Sequence, residues 1–271
     1  MTHVETGTIL DAILARTASD LANRKSTTSI ADLEAAALAR PAPLSLRAAI
    51  GGPDISVIAE VKRASPSRGA FQVNVEPATV TSDYLLGGAA AISVLTDEPF
   101  FQGSLGDLDA VASAAHGRNR AAPVLRKDFV IDPYQIVEAR AHGADAVLLI
   151  VAALDDGTLR QLLSEALACG MDALVEVHDE REMERAAAVG AAIIGINNRD
   201  LKSFAVDLSV SEALIPLAPS DALIVAESGI HGPGDVKRLY HAGAHAVLVG
   251  EALVTAPDRS GAVQALLTWP R

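Results

Sequence analysis

From about residue 54 the chain repeats one unit: a short apolar run, a polar loop, then an amphipathic stretch bounded by helix-capping residues. The unit occurs eight times. Its apolar runs are SVIAEV (56), AAISVLT (90), APVLRK (122), DAVLLIV (145), DALVEV (172), AIIGIN (192), ALIVAE (222) and HAVLVG (245). Their Val, Ile, Leu and Ala are near-continuous rather than alternating, as strands of a parallel sheet covered on both faces require. Helix signals lie between them. Asp132-Pro133 supplies a capping acid and a first-turn proline before Gly143 as a stop, Asp179 and Gly232-Pro233 are starts, and Gly190 and Gly243 are stops. Eight such units in about 220 residues predict an α/β chain closed into a (β/α)8 (TIM) barrel. A doubly wound sheet usually has fewer strands and a G-x-G-x-x-G after the first, and none is present.

Residues 1–50 precede the barrel. An apolar stripe at Leu10, Ile13, Leu14 and Leu21, followed by Ser29 as the cap of IADLEAAALAR, predicts a helical N-terminal extension packed on a barrel spanning 54–271. No flexible linker separates the two, so one domain over 1–271 is expected.

Charge narrows the classes of function. The 34 acidic against 22 basic residues give a net charge of -12, which argues against a general nucleic-acid surface or an anionic membrane surface. An anionic ligand must therefore be met by a local site. One cysteine, Cys169, leaves no internal disulfide or cysteine zinc cluster and fits a reducing compartment. The start MTHVETGTIL lacks a signal pattern, and no run approaches the ~18 apolar residues of a membrane span, so a cytoplasmic protein is expected. Among the seven histidines only His241 and His245 have i, i+4 spacing, and they straddle Gly243, which reads as core or surface histidine rather than a metal site.

In such a barrel the site lies at the carboxyl ends of the strands. Glu60 and Lys62 end the first strand, Arg126 and Lys127 the third, Glu176 the fifth, Asn197 and Arg199 the sixth, and Glu227 the seventh. One strand-end charge is ordinarily a solvated loop residue, but five strands doing so together point to a site. Alternation puts Lys127 and Phe129 on one face, a cation beside a ring in a chain that is only 3% aromatic. Phe100 and Phe101, after the second strand, either wall an aromatic ligand or pack the loop. Glycines at the ends of the last two strands, Gly229 and Gly250, leave backbone N–H groups open to a phosphate, which barrels frequently bind there.

The ordered stretches IAEVKRASPSRG, ISVLTDEPFFQGS, LRKDFVIDPYQI, LVEVHDEREM, IGINNRDL, VAESGI and LVGEAL make the chain resemble the indole-3-glycerol-phosphate synthase family over essentially its whole length. The resemblance implies a cofactor-free carboxy-lyase of tryptophan biosynthesis acting on a small-molecule substrate; no nucleic-acid or membrane partner is expected, and a monomer is the simplest state. That substrate, 1-(2-carboxyphenylamino)-1-deoxyribulose 5-phosphate, would become indole-3-glycerol phosphate with loss of carbon dioxide and water. By similarity Lys127 is the general acid, Glu60 and Glu176 handle the dehydration, Lys62 steers the carboxylate, and Asn197 and Glu227 organise the site, with Arg199 a nearby charge partner. Ser65, Ser228, Gly229 and Gly250 resemble positions at the substrate's ends. Leu248 and Glu251 fall in the same strand-8 stretch of substrate contacts, and Phe129 and Leu148 match the apolar wall for the anthranilate ring. Two departures are Arg68, where lysine is common in the family, and Ala252, where serine is common.

Two alternatives differ from this expectation. A phosphoribosylanthranilate isomerase would pair a strand-1 cysteine with an aspartate, whereas strand 1 here carries Glu60 and Lys62 and the one cysteine falls on a helix. A barrel that only binds a phosphorylated ligand would have lost its strand-end acids, and none is lost.

Overall fold

The computed structural model describes residues 6–66, 68–117 and 121–268. Eight parallel strands form a closed barrel: β1 (Ser56–Val61), β2 (Ala91–Leu95), β3 (Val124–Lys127), β4 (Ala146–Ile150), β5 (Asp172–Val177), β6 (Ile193–Asn197), β7 (Leu223–Glu227) and β8 (Ala246–Val249), with β8 pairing back onto β1. Each expected apolar run contains one strand, displaced by at most two residues at its ends. The strands are buried almost throughout, because the barrel interior covers one face and helices the other.

The helices follow their caps. Asp132 accepts a hydrogen bond from Tyr134 N, and Pro133 opens the helix Pro133–Ala141. Asp179 does the same for Glu182 N at the start of Glu180–Ala188, and Gly243 closes Pro233–Ala242 with φ 108°, a left-handed conformation that glycine adopts without steric cost.

The N-terminal extension has three helices, α1 (Ile9–Thr27), α2 (Ile30–Leu38) and α3 (Leu46–Ile50), and it serves both ends of the barrel. The predicted stripe on α1 is buried, and so is Thr17. Burial of each Leu or Ile contributes about 1.5–3 kcal/mol. Ionic contacts fix α1 to the helix after β3: Arg24 Nε lies 2.9 Å from Glu138 Oε1 and Lys25 Nζ 2.8 Å from Asp132 Oδ2. The helix α3 was not expected. Its Leu46 and Ile50 are fully buried next to the start of the barrel, and Asp172, the first residue of β5, accepts from Arg47 N at 2.9 Å and Ser45 Oγ at 3.1 Å. It stoppers the amino-terminal end, while the first turn of α1 reaches the opposite, carboxyl-terminal end. Among the described residues no helix is long and apolar enough to cross a membrane.

Candidate active site

The cavity at the carboxyl ends of the strands is lined by every residue that the sequence marked for it as catalytic or substrate-binding. The period of two explains why. On β3, Lys127 points inward with Leu125 two residues before it, and Arg126 points outward. That corrects the grouping of Arg126 with the site charges: it is 1% exposed in the layer between strands and helices, where its guanidinium meets Asp128 at 2.7 Å and Glu138 at 2.9 Å. A buried guanidinium needs such partners, so its role is to join β3 to the helix behind it.

Inside the cavity the charges form two linked groups. Lys62 Nζ lies 2.9 Å from Glu60 Oε1. Lys127 Nζ lies 3.1 Å from Glu176 Oε2 and 3.2 Å from Glu227 Oε2. Asn197 Nδ2 donates to Glu176 Oε1 at 3.2 Å, and Asn197 Oδ1 accepts from Arg199 N at 3.1 Å, which turns the chain back over the site.

Burial alone would lower the basicity of Lys127, but Glu176, Glu227 and Glu60 outweigh it and hold the ammonium protonated. For Glu176 burial works against ionisation, and the charges of Lys127 and His178 overcome it, keeping the carboxyl below its usual range. Glu227 goes the other way: burial, helped by the negative charge of Glu176, pushes it up to about 8 despite the attraction of Lys127. Crowded carboxylates cannot all ionise around one ammonium, and the proton stays on Glu227.

One side of the cavity is apolar. Phe101 and Phe129 face each other at 6.1 Å, tilted by 36°, and Ile9, Leu10, Ile13, Leu148 and Leu248 continue the wall. This decides the open question at Phe100 and Phe101: the second ring lines the cavity. Opposite lies the turn after β7, where Ser228 (φ 65°) and Gly229 (φ 80°) are both left-handed, and the short helix Glu251–Val254 that Gly250 opens after β8. Loops after the last two strands and a short extra helix are where barrels commonly hold phosphate. Ser65 sits across from them in a two-residue strand after β1, and Arg68 Nε bonds Glu251 Oε1 at 2.9 Å, joining the first and last loops.

Three contributors were missed. Gly195, inside β6, leaves room for Glu227: a Cβ there would stand 2.1 Å from Glu227 Oε1. A glycine inside an otherwise apolar strand was the available signal. Asn198, almost fully buried, donates to Glu227 O at 2.9 Å and Ser228 O at 3.2 Å, bracing the left-handed turn. His178, just past the end of β5 and two residues after Glu176, has Nε2 3.4 Å from Glu176 Oε1.

Fold and site together define a barrel of the enzyme type, with a buried cluster of lysines and acids at the carboxyl ends of its strands beside an apolar wall. The family model described as indole-3-glycerol phosphate synthase matches residues 10–266, and the chain belongs to that family. It is 51% identical over 265 residues to an indole-3-glycerol phosphate synthase of Mycobacteroides abscessus, covering 98% of this chain and 96% of that one. To the protein of the same name from Mycobacterium leprae it is 51% identical over 261 residues, 96% of this chain and 94% of the other. Family membership makes it a carboxy-lyase of tryptophan biosynthesis acting on a small phosphorylated substrate. Among solved structures, 3-hexulose-6-phosphate synthase from Salmonella typhimurium superposes with a TM-score of 0.60 at 16% identity, covering 78% of this chain and 96% of that one, a likeness of fold alone.

Proposed function

We propose that this site closes the indole ring of 1-(2-carboxyphenylamino)-1-deoxyribulose 5-phosphate, with Lys127 as the proton donor. The ring carbon that bears the carboxylate attacks the ketone carbon, and Lys127 delivers its proton to the ketone oxygen, which becomes a hydroxyl. The aniline nitrogen carries the positive charge of the resulting iminium. Carbon dioxide then leaves, and the electrons of its bond return to the ring. Departure of the hydroxyl as water, with a proton lost from the neighbouring methylene, completes the pyrrole.

The residues divide this work by position. Glu176, held ionised, accepts the methylene proton, and the Glu60–Lys62 pair supplies the proton with which the hydroxyl leaves as water, with Lys62 also facing the substrate carboxylate. Asn197 fixes the angle of Glu176. Glu227, retaining its proton, offers a hydrogen bond to a sugar hydroxyl, and Arg199 lines the same cavity. Phe129, Leu148 and Leu248 take the anthranilate ring. Ser65, Ser228, Gly229, Gly250 and Glu251 surround the phosphate end, where backbone N–H groups serve as donors. Extension and barrel act as one domain, because α1 supplies part of the cavity wall. The single half-buried cysteine fits the cytoplasm.

The observation that carries this reading is the ammonium of Lys127, paired to the Glu176 carboxylate and set beside the carboxyl of Glu227, between an apolar wall and a phosphate-type turn. Mixing the full chain with the proposed substrate and following indole fluorescence together with released carbon dioxide tests it. One carbon dioxide per indole is expected, and ring closure without decarboxylation would refute it.

A further inference from the structure

His178 stands outside the cavity that holds the other charges, yet it touches one of them. Its Nε2 faces Glu176 Oε1 at 3.4 Å, and its Nδ1 lies 3.0 Å from Glu182 Oε2 on the following helix. The same Glu182 oxygen accepts from the His178 backbone N at 2.8 Å, so the ring is fixed at both ends. The side chain is 13% exposed. On its other side lies a polar groove lined by Asp155 and Asp156 at the start of the helix Asp156–Ala168, by Asp179, Arg181 and Arg185, and by Arg199, Asp200, Lys202 and Asp207 after β6. Within that groove Arg185 is engaged by Asp156 at 2.6 Å, which leaves Glu176 and Glu182 as the charges in contact with the imidazole.

We infer that His178 is a positioning residue: an imidazolium clamped between Glu182 and Glu176 that keeps Glu176 ionised and aimed while Lys127 gives its proton away. This rests on the assignment of Glu176 to acid–base work. The need for it follows from the site. Glu176 Oε2 is balanced by Lys127, and that charge vanishes in the step in which Lys127 protonates the ketone. A second cation on Oε1 that takes no part in the reaction preserves the carboxylate for the proton transfer that follows. Burial would discharge the ring, but the hydrogen bond to Glu182 and the negative charges of Glu176 and Glu182 overcome it and push His178 up to about 10, so it stays cationic through neutral pH.

The test is the pH profile of turnover for His178→Gln in the full-length enzyme. Loss of the cation raises the proton affinity of Glu176, so the acid limb moves to higher pH. Turnover should fall by about 10- to 100-fold, the range measured for partners that orient functional groups at metal sites, with KM nearly unchanged. A purely packing role for His178 predicts lower stability with the acid limb in place, and that result overturns the proposal. If His178→Gln does not fold, Glu182→Gln decides: a smaller shift of the same sign supports the clamp, and an unmoved limb refutes it. The imidazole signal of His178 provides a direct check. It should remain protonated at pH 8 in the parent and lose its proton at lower pH in Glu176→Gln; identical titration in both refutes the contact. The underlying assignment fails separately, if Glu176→Gln retains full turnover.

Discussion

Lys127 Nζ lies 3.1 Å from Glu176 Oε2, both side chains almost enclosed, so the state of each depends on the other. Replacing Glu176 by Gln keeps the shape and removes the charge. Turnover should then fall roughly 10²- to 10⁴-fold, as for loss of a positioned acid or base. The ammonium of Lys127 also loses its largest electrostatic support, which lowers its proton affinity. The alkaline limb of the residual pH profile should therefore move to lower pH. Steady-state turnover across pH reads both effects, and an unmoved alkaline limb would uncouple the pair.

Gly250 bears on the other pair. A Cβ at this position would come within 2.5 Å of Glu60 Oε1 and 2.8 Å of Lys62 Nζ. Those atoms are the tips of flexible side chains, so the fold yields cheaply while the pair is displaced. Gly250→Ala is expected to lower turnover as well as raise KM, with thermal stability little changed. A variant altered in KM alone would limit Gly250 to phosphate approach.

Glu227 links the site to stability. Its folded value of about 8 exceeds the ordinary 4.5, so the folded protein binds this proton more tightly than the unfolded chain. The favourable contribution is complete below pH 4.5 and is lost as pH rises toward about 8. Glu227→Gln removes that dependence. In melts across this window the parent should lose stability relative to the variant as pH rises; parallel curves would contradict the retained proton.

Much of this was legible beforehand, and the reasons are particular. Parallel barrel strands are apolar on both faces, which makes them stand out as runs, and Asp132, Asp179 and Gly243 announce the helix ends through local backbone chemistry. Lys127 and Glu176 stood out because charges at the ends of such runs are costly without a purpose. Arg126 was misplaced because adjacency in sequence means opposite faces in a strand, and only the helix behind it, with Glu138, explains its charge. His178 and Asn198 were invisible for the converse reason: a polar residue just past a strand has the same pattern whether it braces a neighbour or faces water. The helix α3 is five residues long, too short for periodicity to register.

From the extension, Ile9, Leu10 and Ile13 line the cavity. Ile9 is the informative position, since it is only half-buried and carries little of the core. Ile9→Ala should raise KM several-fold with a small change in melting temperature. Preserved affinity would assign the first turn of α1 to packing alone.

The most direct measurement compares the parent enzyme with Lys127→Ala on the same carboxyphenylamino-deoxyribulose phosphate, by indole fluorescence at equal concentrations of folded protein. With Lys127 as the proton donor to the ketone, turnover falls by roughly 10²- to 10⁴-fold while cooperative melting persists. A folded Lys127→Ala enzyme that works within a few-fold of the parent would contradict that role.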